Sequence, residues 1–249
     1  MHRRNTTVVL TVATVALVAL AGCSGAGGSG TPYQTPLNAT QVANGHVSAL
    51  QNAGSFSVDL VVARNVGGRT ATQNISAKVD VGTGAYSFTS SRPGTKQTTY
   101  VSPNGTAYVR TTANGTTSYS SGQSISSQNA STFIHPAPLR TATRLNYTTA
   151  GTTTVNGETV YRYVSHVGGN ETGRAATGAV PASANATTEL DIRPDGLVRR
   201  LSSSLHTSKG SLSVTLTYSH VGSTDPTPSW LSEAKAVSSN ASASRSGTR

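Results

Sequence analysis

The sequence predicts a mainly β (α+β) protein: a single N-terminal helix packed on a curved antiparallel sheet. Three observations carry this. Apolar residues recur at helical spacing once, between Leu37 and Ala53. From Phe56 the apolar period becomes two, the period of a pleated strand. Turn signals then recur roughly every 8 to 12 residues, as between short antiparallel strands. A helix with one apolar stripe and a sheet with one apolar face bury both by packing together.

The chain opens Met1, His2, Arg3, Arg4 and is then apolar from Val8 to Ala21, broken only by Thr11 and Thr14. It continues Gly22, Cys23. A basic start, a short apolar run and small residues before a cut site make a secretory signal, residues 1–22. The run is shorter than the roughly 20 residues that a spanning helix needs. Residues 23–36 are Gly/Ser-rich with Pro32 and Pro36 and read as a flexible spacer.

The domain is expected over 37–236. Asn38 can cap the helix, with Gln41 three residues on and Leu37 and Val42 placed as a hydrophobic staple. Val42, His46 and Leu50 form its apolar stripe, and Gly54 stands where helices end. Phe56, Val58, Leu60 and Val62 alternate with Ser57, Asp59 and Val61. Ile75, Ala77, Val79 and Val81 repeat the pattern, followed by Tyr86, Phe88, Tyr100 and Tyr108. Gly67-Gly68, Gly82-Thr83-Gly84, Pro93-Gly94, Asn104-Gly105 and Asn114-Gly115 separate them.

Residues 121–145 break the rhythm and suit one or two short helical turns, with Phe133, Ile134, Leu139 and Leu145 as apolar contacts. Strands resume at Tyr147, with a hairpin turn at Asn156-Gly157. Gly168 to Ala186 reads as a long Gly/Ala/Asn loop. Thr188–Arg193, Leu197–Thr207 and Ser211–Val221 close a set of about nine or ten strands. Ser229 to Ala236 suits a terminal helical turn, and 237–249 reads as a disordered tail.

Composition narrows the function. The 249 residues carry 19 Lys and Arg against 9 Asp and Glu, a net charge of +10. Removing the signal takes two arginines and no acid, leaving +8 (10 − 2). Charged residues are 11% of the chain, against about 25% in ordinary domains. The basic residues are scattered without a run of four or an aromatic platform between them, so no nucleic-acid partner is expected. A weak attraction to anionic headgroups fits better, beside a merely solvated surface. Cys23 is the single cysteine, so no disulfide can form within the chain.

No catalytic constellation stands out, so an enzyme is not expected, and neither is a metal or other cofactor. The histidines His46, His135, His166, His206 and His220 form no metal-pair spacing. His46 lies on the helix stripe and reads as a buried, hydrogen-bonded structural residue. Glu189 and Asp191 share a strand face, which suits a cation or an acid/base pair but more simply an exposed polar strand edge. There is no GxSxG, no phosphate loop and no calcium loop. Asn-x-Ser/Thr recurs throughout; Asn104, Asn114 and Asn170 are the candidate glycosylation sites because they lie at turns.

Leu20-Ala21-Gly22-Cys23 resembles the lipobox of prokaryotic lipoproteins. That resemblance implies a diacylglyceryl group on Cys23 and a place on the outer face of the cell membrane, lipid-anchored. Arg3-Arg4 resembles a twin-arginine export signal but is followed by Asn5-Thr6-Thr7, so both export routes stay open. Gly45-His46-Val47-Ser48-Ala49-Leu50, Gly54-Ser55-Phe56-Ser57-Val58, Asp195-Gly196-Leu197-Val198 and Thr227-Pro228-Ser229-Trp230-Leu231-Ser232-Glu233-Ala234 resemble an uncharacterised haloarchaeal lipoprotein family. That family looks like the lipoprotein-carrier superfamily, an open half-barrel with a helix over its cavity.

The resemblance implies a cavity for a lipid or another amphiphile, lined by Phe56, Val58, Leu60, Tyr86, Phe88, Leu201, Leu212, Val214 and Leu216. Residue by residue, the same side chains suit an ordinary core. Two function classes therefore stay open: a lipid-anchored binding protein, and a structural or interaction glycoprotein of the cell surface with a closed core.

Overall fold

Asn38 opens the first helix, α1 (Ala39–Ala53); its side-chain oxygen accepts the Gln41 N–H at 3.0 Å. Gly54 ends α1 at φ 75°, donating to the Leu50 and Gln51 carbonyls. Both caps stand where the sequence places them. The computed structural model describes residues 33–123, 129–155, 157–168, 173–180 and 184–237. The signal, Cys23, most of the spacer, Asn170 and nearly all of the expected tail lie outside them. Among the described residues no helix is long and apolar enough to cross a membrane.

Six strands follow as a meander: β1 (Ser55–Val66), β2 (Arg69–Asp80), β3 (Tyr86–Arg92), β4 (Thr95–Val101), β5 (Thr106–Ala113) and β6 (Thr116–Gln123). Two short helices, α2 (Ala130–Ile134) and α3 (Ala137–Ala142), interrupt the sheet in the segment whose alternation fails. Then come β7 (Thr148–Val155), β8 (Glu158–Val167), β9 (Gly173–Ala175), β10 (Gly178–Val180), β11 (Asn185–Ile192), β12 (Val198–Thr207) and β13 (Gly210–Ser219). Residues 231–237 are helical.

Eleven strands make one antiparallel sheet, ordered β6-β5-β4-β3-β2-β1-β13-β12-β11-β8-β7. It is curved and not closed. The decisive long-range pairing is β13 on β1, which sets Leu60 opposite Leu216 and Val58 opposite Tyr218. Strand alternation then divides the sheet into two faces. On the apolar face, Leu60, Leu216, Leu201, Leu190 and Tyr163 form one cross-strand row over five strands.

α1 lies on this face, with Val42, His46 and Leu50 fully buried. α2 adds Phe133, whose ring stands 5.5 Å from Tyr86 and 6.1 Å from Phe88. α3 adds Leu139. The opposite face is mostly Ser, Thr and charged residues. There Trp230 and Ala234 pack with Tyr100 and Ala85 in a separate small core.

Three expectations change. The sheet has eleven strands, one or two more than alternation counts. The expected loop Gly168–Ala186 contains the hairpin β9–β10 and the start of β11. Its neighbours in the core are small, Ala175, Ala184 and Ala186, which leave no visible apolar period. Glu189 and Asp191 do not sit on an exposed edge, because β11 runs between β12 and β8 and Asp191 is buried.

Gly45 shows how closely α1 approaches the β11–β12 turn. A Cβ there would meet the Tyr33 hydroxyl and stand 3.6 Å from the Gly196 Cα. Tyr33 cannot easily yield: its backbone N–H donates to the Tyr163 hydroxyl, which donates to its carbonyl at 2.9 Å. In an open helix Gly→Ala stabilises by about 1 kcal/mol. Here Gly45→Ala is expected to lower stability instead, by about 2 kcal/mol, because overpacking outweighs propensity. A thermal melt showing Gly45→Ala at or above the parent Tm would refute the close approach.

Candidate functional site

All nine residues expected to line a cavity fall on the apolar face of the sheet. Phe56, Val58, Tyr86, Leu201 and Leu216 are buried in the core beneath α1, α2 and α3, with Leu60 and Phe88 partly buried against it. Val214 is buried outside that cluster, and Leu212 is partly exposed. Leu60, Val62, Ile75, Phe88 and Leu212 are all half-buried, so the apolar face continues past the cover of the helices. At its far end Leu212, Leu205 and Val66 line a small open cavity of about 210 Å³ with Arg64 and Lys209 at its rim.

His46 is the joint between α1 and the sheet. Its Nε2 lies 2.8 Å from the Ile134 carbonyl, and its Nδ1 accepts the Val198 N–H at 3.2 Å. A carbonyl can only accept and a backbone N–H can only donate, so the ring is held neutral with its proton on Nε2. Its ring packs on Tyr218 with centroids 4.7 Å apart. Burial pushes its pKa down to about 4, against the opposing bond to Ile134. Tyr218 donates to the Phe133 carbonyl at 2.9 Å, and burial raises its pKa well above the usual value. His46 thus acts as a structural residue, as its place on the helix stripe predicts. His166 and His206 are exposed on strands, whereas His220 stands just past β13 at φ 49°.

The acids of β11 are held by an arginine. Arg162 on β8 pairs with Asp191 through two bonds, Nε–Oδ1 2.8 Å and Nη2–Oδ2 3.0 Å, and Glu189 stands 3.8 Å from its Nε. Those bonds raise the Arg162 pKa. An acid/base or cation role for the two carboxylates is therefore occupied by a guanidinium. At one end of the sheet Glu158 bridges Arg193 at 3.1 Å and Arg199 at 2.7 Å. No cluster of His, Cys, Asp and Glu suited to a metal occurs among the described residues.

Two of the candidate glycosylation sites are described. Asn104 is exposed at the β4–β5 turn, where its side-chain oxygen accepts from Ser102 Oγ and the Thr106 N–H. Asn114 is exposed at the β5–β6 turn with φ 49°. Asn38 and Asn129, which also head sequons, are committed as helix caps.

A family model spans residues 8–234. The chain belongs to the DUF7537 family, a family of unknown function. Among curated proteins none matches it. Solved structures similar to this DUF7537 chain include LprF from Mycobacterium bovis, with 16% identity and TM-score 0.41 over 76% of this chain and 95% of that one. Lipoprotein LppX from Mycobacterium tuberculosis is 15% identical with TM-score 0.32, over 76% and 97%. A LolA superfamily protein from Nitrosomonas europaea is 10% identical with TM-score 0.30, over 74% and 92%.

Three of the four short stretches singled out in the sequence meet in this DUF7537 fold, while Thr227–Ala234 packs on the opposite face. Gly45-His46 on α1 touches Gly196 and Val198, and Phe56 packs 5.7 Å from the Tyr218 ring that contacts His46. What the sequence does not show is a cavity of about 890 Å³ on the opposite face, beneath residues 226–230. Its lining residues come from six strands and the C-terminal segment, so no local motif marks it.

Proposed function

We propose that this DUF7537 protein is exported, joined to lipid at Cys23 on the outer face of the cell membrane, and binds an apolar or amphiphilic ligand. The ligand lies on the open apolar face of the sheet. The observation that carries this is the apolar surface left beside the helices, from Leu60, Val62 and Ile75 to Phe88 and Leu212. A continuous apolar surface on a sheet face is where such ligands bind. The nine residues named from the sequence belong to this face, the buried ones as its floor. The export and anchor rest on the signal, the lipobox-like Leu20-Ala21-Gly22-Cys23 and the spacer before the domain. The short stretches that resemble haloarchaeal lipoproteins support, in this reading, an archaeal source. Glycans on Asn104 and Asn114, and on Asn170, belong to the same cell-surface setting.

Native mass spectrometry of the full chain, purified from its own host, tests the ligand. We expect a discrete added mass that organic extraction removes and that Leu60→Asp with Phe88→Asp abolishes. A bare chain mass before extraction would overturn the reading and leave a structural surface glycoprotein.

A further inference from the structure

The face of the sheet opposite α1 carries a cleft that an apolar ligand does not explain. Strand register assembles it. Asp59, Ser76, Thr89, Thr98 and Arg110 are successive cross-strand neighbours from β1 to β5. Lys78 is two residues along β2 from Ser76, and Lys96 is two residues along β4 from Thr98, so both project from this same face. Residues 226–230 cross over the strands and end at Trp230, whose ring stands 6.0 Å from Tyr119. Between this segment and the strands lies the cavity of about 890 Å³.

Its chemistry is consistent along its length. Serine and threonine make half of the lining residues, and Trp230 closes one side. Three cations, Lys78, Lys96 and Arg110, line it against one acid, Asp59. Burial raises the Asp59 pKa, and the charge of His220 opposes that rise. None of the three cations makes an ion pair within 4.0 Å among the described residues. The exposed Asp225 senses the charge of Lys78 without pairing to it. Arg110 Nε is shielded from solvent and has no hydrogen-bond partner among the described residues. A guanidinium and ammonium groups gathered in one cleft are paired best by an oxyanion. An apolar ligand would strip water from the hydroxyl walls without replacing it.

We infer that this cleft binds an acidic sugar: a small ligand with a phosphate, sulfate or carboxylate group beside several hydroxyls. Arg110 and Lys96, from adjacent strands, take the oxyanion. The Ser and Thr hydroxyls, which both donate and accept, pair with the ring hydroxyls. Trp230 borders the cleft as an apolar wall. The volume lies within the range of about 300–1,000 Å³ usual for small-molecule pockets. The site is on the other face from the proposed apolar-ligand surface, so the two stand or fall separately.

Trp230 is the only tryptophan in the chain, so intrinsic emission reports this cleft directly. The full chain in detergent would be titrated with glucose 6-phosphate, galacturonic acid, glucose and inorganic phosphate. We expect a saturable emission change with at least one acidic sugar and none with glucose. Lys96→Ala with Arg110→Ala should weaken it by about tenfold or more, as should a rise in salt. Lys209→Ala, far from the cleft, should leave it unchanged. Should the double variant melt early, the single Lys96→Gln, at an exposed position, provides the comparison. No saturable change with either acidic sugar, or equal affinity in the cation variant, would overturn the proposal. So would inorganic phosphate binding as tightly as glucose 6-phosphate, because the hydroxyl walls would then contribute nothing.

Discussion

Replacing His46 with glutamine is expected to remove most of the acid sensitivity of this fold. In the folded protein the imidazole is neutral, buried and bonded through both nitrogens, and its pKa is about 4. In the unfolded chain it returns to about 6.5. As pH falls, the unfolded state takes the proton first. The stability contributed by neutral His46 is therefore complete above about pH 6.5 and lost as pH falls towards 4. The gap amounts to about 3 kcal/mol at pH 4.

Urea denaturation between pH 7.5 and pH 4.5 should show a steep loss in the parent and a shallower one in His46→Gln. A residual slope has a source in His135, whose pKa is also lowered, first by burial and then by Arg140. At neutral pH His46→Ala is expected to cost about 3–5 kcal/mol, by opening a cavity and leaving the Val198 N–H unpaired. A parent protein as stable at pH 4.5 as at pH 7.5 would show that the imidazole is not held neutral.

Arg162→Met should be nearly as damaging. Asp191 is 1% exposed on a central strand, and Arg162 donates a hydrogen bond to each of its carboxylate oxygens. Removing one partner of a buried pair strands the other charge, at a cost of about 3–5 kcal/mol. Glu189, 3.8 Å from the same guanidinium, would add its repulsion. The double change Arg162→Met with Asp191→Leu should recover most of the loss, because no buried charge is left. Denaturation midpoints of the parent, the two single variants and the double variant provide the cycle. If Arg162→Met costs under about 1 kcal/mol, the pair behaves as an ordinary surface contact.

Both residues show where sequence reading stops. The place of His46 on the apolar stripe predicts that it is buried, since that follows from helical spacing alone. Its partners lie 88 and 152 positions away, at Ile134 and Val198, and no local pattern names them. Glu189 and Asp191 share a face by alternation, as the sequence shows. Whether that face is an edge or a centre depends on β8 and β12 flanking β11, which is a matter of topology. The hairpin β9–β10 was hidden for another reason. Its segment is built of glycine and alanine, which carry too little apolar contrast to reveal a period. The nine apolar residues on one sheet face were legible because large side chains at every second position leave little choice of face.

By itself the sequence determined what is short-ranged. The caps of α1, the change from helical to strand period at Phe56, the turns and the lipobox-like Cys23 each depend on a few neighbouring residues. The tertiary structure alone decided that β13 closes on β1, which face α1 and α2 leave partly uncovered, and that Lys78, Lys96, Arg110 and Trp230 meet around one cleft. Those depend on strand order and register, where residues from β2, β4, β5 and the C-terminal segment are brought together across long loops of chain. Alternation fixes the side of a sheet on which a residue lies. The pairing of distant strands fixes its neighbours there, and the chemistry of both candidate sites comes from those neighbours.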